Sequence, residues 1–264
     1  MKSLLLVVLY NKRIKDSTTI SSFLNKCRKY HPSIDLFIWD NTTKSDIRTD
    51  ESILCDINYH YHKAGSNTPL SVVYNTVLNK YRDFDLLFNF DQDSILDEDY
   101  FDALFNSYNP LEDCALYCPL IYHNDLCVSP GIMGRYKADY WLKPDVGLQS
   151  SKDKLVITSG IVLDIKKIFN ACLRYDENLI LYGIDLKFSL DYAMCFPKIC
   201  VFNYRLAHDL SIFDQSESRS KKIFRLVNGF KAELYIYRTT KKDIVFYLYS
   251  IIRFVHNYSR ILLR

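Results

Sequence analysis

Leu86-Leu87-Phe88-Asn89-Phe90-Asp91-Gln92-Asp93-Ser94 passes from an apolar run into two carboxylates two residues apart. The run predicts a strand over 85–90, which leaves Asp91-Gln92-Asp93-Ser94 at its carboxyl end. Leu4–Leu9 is a second unbroken apolar run, the pattern of a strand buried on both faces, and it ends in Tyr10-Asn11. Ile34–Trp39 is a third and ends in Asp40-Asn41-Thr42, a turn sequence. Another short strand is expected around Ile57–Tyr61. Between these runs lie helical patterns. Ser17, Thr18 and Thr19 offer caps before Ile20, Phe23, Leu24 and Cys27, and Leu70, Val73, Tyr74, Val77, Leu78 and Tyr81 fall on one face. The alternation implies an α/β fold with a mostly parallel, Rossmann-like sheet and flanking helices. Ligands of such sheets bind beyond the carboxyl ends of the strands, where all three polar clusters fall.

The composition agrees with one large globular domain and excludes several classes. The 264 residues are 48% hydrophobic and 25% charged, with only seven Gly and seven Pro, which rules out collagen-like and disordered chains. No apolar run reaches the roughly 18–20 residues of a membrane span. Leu4–Leu9 is too short for a secretory core and lacks a small-residue cleavage site, so a cytoplasmic chain is expected. The eight cysteines contain no C-x-x-C pair and are expected to be reduced, buried small hydrophobes. Zinc held by Cys114, Cys118 and His123 lacks the second half of a site.

Charge divides the chain more sharply than it sums. From Arg219 onward there are eleven Lys/Arg against two acidic residues, whereas residues 1–218 carry 23 basic against 29 acidic ones. A catalytic body over 1–215 and a basic, aromatic helical tail over 216–264 are therefore expected, with helices at about 219–237 and 243–263. Within the body, strand-like pieces at Cys114–Pro119 and Leu155–Leu163 flank a Gly/Pro-bearing stretch, 130–147, that reads as a substrate loop. A helix is expected from Asp185 to about Cys195 and a strand at Lys198–Asn203.

Asp91 and Asp93 supply hard oxygen ligands of the kind Mg²⁺ or Mn²⁺ prefers and can share with a diphosphate. An acidic turn capping a helix that starts near Asp97 would use the same residue types. His60 and His62 share a strand face and read as packing residues.

The ordered series of motifs resembles the inverting nucleotide-sugar glycosyltransferases of family 2, with the GT-A fold, and within them the bacterial rhamnosyltransferase-like branch. Val7-Val8-Leu9-Tyr10-Asn11 is similar to the family's first strand and its nucleotide-facing end. Ile38-Trp39-Asp40-Asn41-Thr42 resembles the segment that contacts base and ribose, and Gly65-Ser66-Asn67 with helical Asn75 resembles the Asn/Gly-rich loop and helix. Phe88–Ser94 matches the D-x-D segment, and its D-Q-D-S wording suggests the rhamnosyl branch. Thr158-Ser159-Gly160 resembles the strand lining the sugar, Tyr182-Gly183-Ile184-Asp185 the catalytic acid motif, and His208-Asp209-Leu210 the late histidine of the metal site. The neutral Gly183-Ile184 departs from the family's usual acidic pair.

This resemblance implies a single displacement with Asp185 as the base. It implies a donor site from Tyr10, Asp40, Asn41, Asn67, Asp91, Gln92, Ser159 and Gly160, and a cation, Mg²⁺ or Mn²⁺, on Asp91, Asp93 and His208. The donor it suggests is dTDP-L-rhamnose, with a UDP-hexose or UDP-galactofuranose as the alternative. The acceptor would be a lipid-linked saccharide in O-antigen or capsule synthesis. The tail could pack on the body, meet anionic lipids of the inner leaflet, or do both. Nucleic acid is disfavoured because no binding motif accompanies the charge. From another class, a non-catalytic membrane-associated binding module would share the tail. Nothing in the sequence speaks to oligomeric state.

Overall fold

The computed structural model describes residues 1–44, 51–123, 125–134, 137–206, 218–240 and 244–263. In chain order the elements are β1 (Ser3–Leu9), α1 (Thr18–Lys26), β2 (Ile34–Asp40), β3 (Tyr59–Lys63), α2 (Leu70–Lys80), β4 (Leu86–Asp91) and α3 (Glu98–Ser107). There follow β5 (Cys114–His123), β6 (Leu126–Met133), β7 (Ala138–Trp141), β8 (Gly147–Ser150), β9 (Lys154–Leu155) and β10 (Ile161–Asp164). The chain ends with α4 (Ile165–Asn170), α5 (Ile184–Cys195), β11 (Lys198–Leu206), α6 (Arg219–Thr239) and α7 (Ile244–Leu262).

The main sheet runs β3-β2-β1-β4-β10-β5-β11-β8. The first four strands are mutually parallel, as their helical crossovers require, and β5 pairs β11 in parallel. β10 lies antiparallel between β4 and β5. β1 explains the layering. Leu4, Leu6 and Val8 enter the core on one face, with α2 and α5, while Leu5, Val7 and Leu9 enter the core on the other, with α1 and α3. Each fully buried aliphatic side chain of this kind contributes about 1.5–3 kcal/mol. The unbroken apolar wording of Leu4–Leu9 thus reports a central strand covered on both sides.

Helix starts follow their caps. Ser17 Oγ accepts from the Ile20 N–H at 3.3 Å, and Asp97 accepts from Tyr100 at 3.1 Å with Glu98 and Asp99 in the first turn of α3. Asn75, buried on α2, holds a distant segment by donating to the Tyr175 carbonyl and accepting from the Tyr175 N–H, both at 2.9 Å. Ser71 adds a bond to the Leu179 carbonyl at 2.7 Å. These two residues fix the path of the chain into α5. His60 and His62 pack against aromatic rings, His60 on Tyr81 and His62 on Trp39.

Two expectations about the path of the backbone need revision. The 130–147 stretch is not a loop throughout, because β6 and β7 form an antiparallel pair within it and β8 begins at its end. Gly131 has a structural reason there: a Cβ would meet the Asp139 and Val128 carbonyl oxygens at 3.1 and 3.3 Å, so the glycine lets two backbones close together. The apolar run at 155–163 is split into β9 and β10, since Gly160 takes φ +89° and ends the extended path.

α6 and α7 form where the periodicity puts them. Ala232, Ile236, Tyr237 and Phe246 join the same core as α2 and α5. α7 is otherwise inverted for a surface helix. Ile244, Leu248, Ile251 and Val255 are exposed along one face, whereas Phe246, Ser250 and Arg253 lie on the opposite, more enclosed one. Among the described residues, no helix is long and apolar enough to cross a membrane.

All eight cysteines are unpaired, but only five are buried; Cys55, Cys172 and Cys195 are exposed, contrary to the expectation of uniform burial. Burial pushes the Cys27 and Cys200 thiols up to about 12. Titration with Ellman's reagent at pH 8 is therefore expected to show three fast thiols in the native protein and eight in denaturant. Rapid release of all eight from native protein would contradict this packing.

Candidate active site

Register brings the polar clusters to one edge. Leu9 pairs with Asp40, and Val8 pairs with both Trp39 and Asp91, so Tyr10, Asn41 and Gln92 emerge side by side. Gln92 Oε1 accepts from the Tyr10 N–H at 2.9 Å, and Tyr10 is 47% exposed. Asn11 sits at φ +51°, a conformation asparagine tolerates, and its Oδ1 accepts from the Thr43 and Lys44 N–H groups at 3.2 and 3.3 Å.

Asp40 and Asn41 stand behind this edge. Both are almost fully buried. Asp40 accepts from the Tyr61 hydroxyl at 2.5 Å and the Thr42 N–H at 2.8 Å. Asn41 accepts from Trp39 Nε1 at 2.9 Å and the Thr68 N–H at 3.2 Å, and donates to the Thr68 carbonyl at 2.9 Å. The Asn41 side chain thereby braces the end of the Gly65–Thr68 loop, on which Asn67 is exposed, whereas the Asp40 carboxylate is spent on Tyr61 and Thr42.

The Asp91-Gln92-Asp93-Ser94 turn is held by the first turn of α1. Thr19 Oγ1 donates to the Asp91 carbonyl at 2.5 Å and accepts from the Ser94 N–H at 2.9 Å, while Ser17 Oγ donates to the Gln92 carbonyl at 2.8 Å. Sequence reading assigned these hydroxyls to capping alone. The available signal was their number, because one hydroxyl is enough for a cap. Asp91 is half-buried and Asp93 exposed.

On the other side the turn meets Thr158-Ser159-Gly160. Ser159 Oγ accepts from the Asp91 N–H at 3.0 Å. The Thr158 N–H donates to Asp185 Oδ1 at 3.3 Å, and its hydroxyl makes a short hydrogen bond to the same oxygen. Neighbouring residues therefore grip the D-x-D strand and Asp185 at once. Burial pushes the Tyr74 phenol well above its ordinary value, and the Asp91 and Asp185 charges push the same way. Gly160 completes the grip through its N–H to the Asn89 carbonyl at 2.7 Å and its carbonyl to the Tyr100 hydroxyl at 3.0 Å.

Asp185 occupies the first turn of α5, half-buried, where the helix dipole favours a negative charge. Gly183 precedes the helix at φ +80°, and a Cβ on it would meet Ile236 at 2.9 Å and Ala232 at 3.0 Å, both on α6. The neutral Gly183-Ile184 sequence thus has a local cause in backbone shape and close helix approach. Among the described residues, no group of three His, Cys, Asp or Glu side chains converges as a metal site. Asp91 and Asp93 offer carboxylate oxygens of the right hardness for Mg²⁺ or Mn²⁺, and His208 lies outside the described residues.

No family model and no curated protein sequence matches the chain. Solved structures do. The chain is similar to S. aureus TarS 1–349 with a TM-score of 0.55 at 12% identity, over 99% of this chain and 90% of that one. It is similar to GalNAc-T7, solved with UDP, GalNAc and Mn²⁺, with a TM-score of 0.61 at 12% identity, over 90% of this chain and 47% of that one. The fold is GT-A. The mannosyltransferase PcManGT from Pyrobaculum calidifontis, solved with GDP-Man and Mn²⁺, gives 0.60 at 9% identity over 90% of this chain and 64% of that one. The chain spans 66% of TarS 1–349 in its UDP complex, so these likenesses establish the GT-A architecture and no more.

The grip at residues 158–160 can be tested directly. A side chain at residue 160 would hold the backbone in a strained positive φ, and its Cβ would collide with the Leu206 side chain. Gly160→Ala is expected to lower unfolding stability by more than about 1 kcal/mol. An unchanged urea midpoint and slope would show that this turn bears no strain.

Proposed function

We propose that this protein is a metal-dependent, inverting glycosyltransferase that moves a sugar from a nucleotide donor to a lipid-linked saccharide. The observation that carries the reading is the joint hold of Thr158 and Ser159 on Asp185 and on the Asp91 backbone, at the ligand-binding edge of a GT-A sheet. Solved neighbours of this fold contain UDP, UDP-GlcNAc or GDP-Man, which supports a nucleotide-sugar donor. Among donors, dTDP-L-rhamnose is our choice on the D-Q-D-S wording, with a UDP-hexose or UDP-galactofuranose as its rival.

In this proposal Asp185 takes the proton from an acceptor hydroxyl as that oxygen attacks the anomeric carbon. The bond from that carbon to the diphosphate oxygen breaks on the opposite face, and its electron pair leaves with the nucleoside diphosphate. The two Thr158 hydrogen bonds fix one carboxylate oxygen and so set the direction of attack. Tyr10 packs on the base, Gln92 holds the backbone at Tyr10, Asn41 supports the loop bearing Asn67 from behind, and Asp40 fixes the turn at Thr42 beside it. Ser159 and Gly160 line the sugar. A cation on Asp91 and Asp93, completed by His208, would neutralise the charge of the departing diphosphate.

The exposed apolar face of α7 supports attachment to the inner leaflet on the cytoplasmic side, where a lipid-linked acceptor for O-antigen or capsule would be presented. The body over 1–215 would then be catalytic and the tail over 216–264 would join it to the membrane. A binding module without turnover would retain the tail contact but have no use for Asp185 beside the D-x-D turn.

Release of nucleoside diphosphate from a panel of dTDP-, UDP- and GDP-sugars tests the reading, with a lipid-linked acceptor extract and with Mn²⁺, Mg²⁺ or EDTA. One donor is expected to turn over, with EDTA and Asp93→Ala abolishing release. Asp185→Asn is expected to cost about 10²–10⁴ in kcat. Thr158→Val removes one hydrogen bond to a charged group and should cost roughly ten- to a hundredfold. Silence across all donors, with no donor binding by calorimetry, would leave the binding module standing.

A further inference from the structure

α5 begins without a side-chain cap. Ser17, Asp97 and Asp164 accept backbone N–H groups at the starts of α1, α3 and α4, whereas Gly183 before α5 has no side chain to offer. Glycine also restrains its own backbone least, so residue 183 does not by itself fix the direction in which Asp185 leaves, two residues on. The residues just ahead add little packing, since Ile180 is 66% and Leu181 54% exposed.

The restraint comes from the tail. Ala232 and Ile236 on α6 pack against Gly183, and Tyr235, three residues after Ala232, reaches the segment ahead of it. The Tyr235 hydroxyl donates to Asp176 Oδ2 and accepts from Asn178 Nδ2, both at 2.9 Å. Asn178 turns back on Asp176 Oδ1 through its backbone N–H at 3.0 Å and its side-chain amide at 2.8 Å, which closes a ring of three side chains. Burial alone would raise the Asp176 carboxyl, yet the bonds from Asn178 and Tyr235 hold it below its ordinary value. The ring is therefore built on a charged acceptor, where hydrogen bonds are strong. Next to it, Tyr175 stacks on Phe188 of α5 with ring centroids 4.1 Å apart, and Asn75 holds the Tyr175 backbone from α2. A cleft of about 1110 Å³ opens between α5 and the α6–α7 pair, lined by Asp185, by Phe230 and Ile236 of α6, and by Arg253 and Arg260 of α7. Arg253 is spent on Glu233, so the two tail helices are tied to each other as well as to the start of α5.

We infer that Tyr235 is a positioning residue, which from α6 fixes the 176–183 segment so that Asp185 enters α5 where Thr158 can hold its carboxylate. Calling Asp185 the base rests on the glycosyltransferase reading; the hold of Tyr235 on the start of its helix does not. The tail then serves the reaction itself, through a hydroxyl that never meets the substrate, in addition to meeting the membrane.

Tyr235→Phe keeps the ring and deletes the hydroxyl. Its kcat is expected to fall about ten- to a hundredfold, because a displaced base loses its alignment with the acceptor hydroxyl. Donor affinity, read by calorimetry with Mn²⁺ and the donor that turns over, should stay within about twofold, since Tyr10 and the D-x-D turn stand on other elements. In the Asp185→Asn background the same change should cost nothing further, as expected of a residue that acts through Asp185. Hydrogen–deuterium exchange needs no donor. It should quicken about tenfold or more over 176–188 in Tyr235→Phe and keep wild-type rates in α1 and α3. Melting curves check folding, and Asp176→Asn, which keeps the shape of the ring and removes its charge, gives a second reading if Tyr235→Phe melts early. Wild-type exchange over 176–188 in a folded variant, an unchanged kcat, a loss of kcat matched by a loss of donor affinity, or a further loss in Asp185→Asn protein overturns the inference. If the wild-type protein turns over no donor, the transferase reading falls, and the exchange measurement alone decides whether Tyr235 holds the start of α5.

Discussion

Two adjacent residues, Thr158 and Ser159, hold together the parts on which chemistry would depend. Ser159 accepts the Asp91 N–H and Thr158 donates twice to Asp185, so a D-x-D turn and a helix start nearly a hundred residues apart are tied through one dipeptide. The tie works only because Gly160 can turn at φ +89° and bond the Asn89 and Tyr100 partners on either side. Such a cross-link is rigid because each bond lies in a partly buried setting where water competes poorly. A carboxylate that must accept a proton from a hydroxyl tolerates little wandering.

Much of the architecture was legible in the sequence, and the reasons are local. The unbroken apolar runs of β1, β2 and β4 can be satisfied only between two layers, and the α2 periodicity admits one helical face. The D-Q-D-S turn announced itself because charge follows directly on a buried strand. What could not be read involves partners far apart in the chain. Ser17 and Thr19 bond carbonyls more than seventy residues away, and Asp40 and Asn41 spend their side chains on Tyr61, Thr42, Trp39 and Thr68 rather than facing outward. Gly and Pro in 130–147 read as loop markers, although Gly131 is there so that two strands can approach. The run at 155–163 concealed its break because only the backbone at Gly160 reveals it.

The tail is the second lesson in how a pattern can be correct and its meaning incomplete. Its helices fall where the periodicity predicts, and its positive charge was evident from counting. Counting could not reveal that α7 presents its apolar face to the outside and its basic face to a cleft beside Asp185. The spacing of apolar residues around a helix shows that it has two unlike faces, but not which of them is covered.

Gly183 sets a limit on how such a chain can be rearranged. Ile236 and Ala232 press against the backbone just ahead of Asp185, so that a side chain at that position would have to displace both and would also keep a strained positive φ. The helical tail is thus keyed into the body at a single atom's width. Exchange of this tail for that of another GT-A protein would require a new fit at residue 183, so the two parts can be engineered only as one unit and not as interchangeable modules.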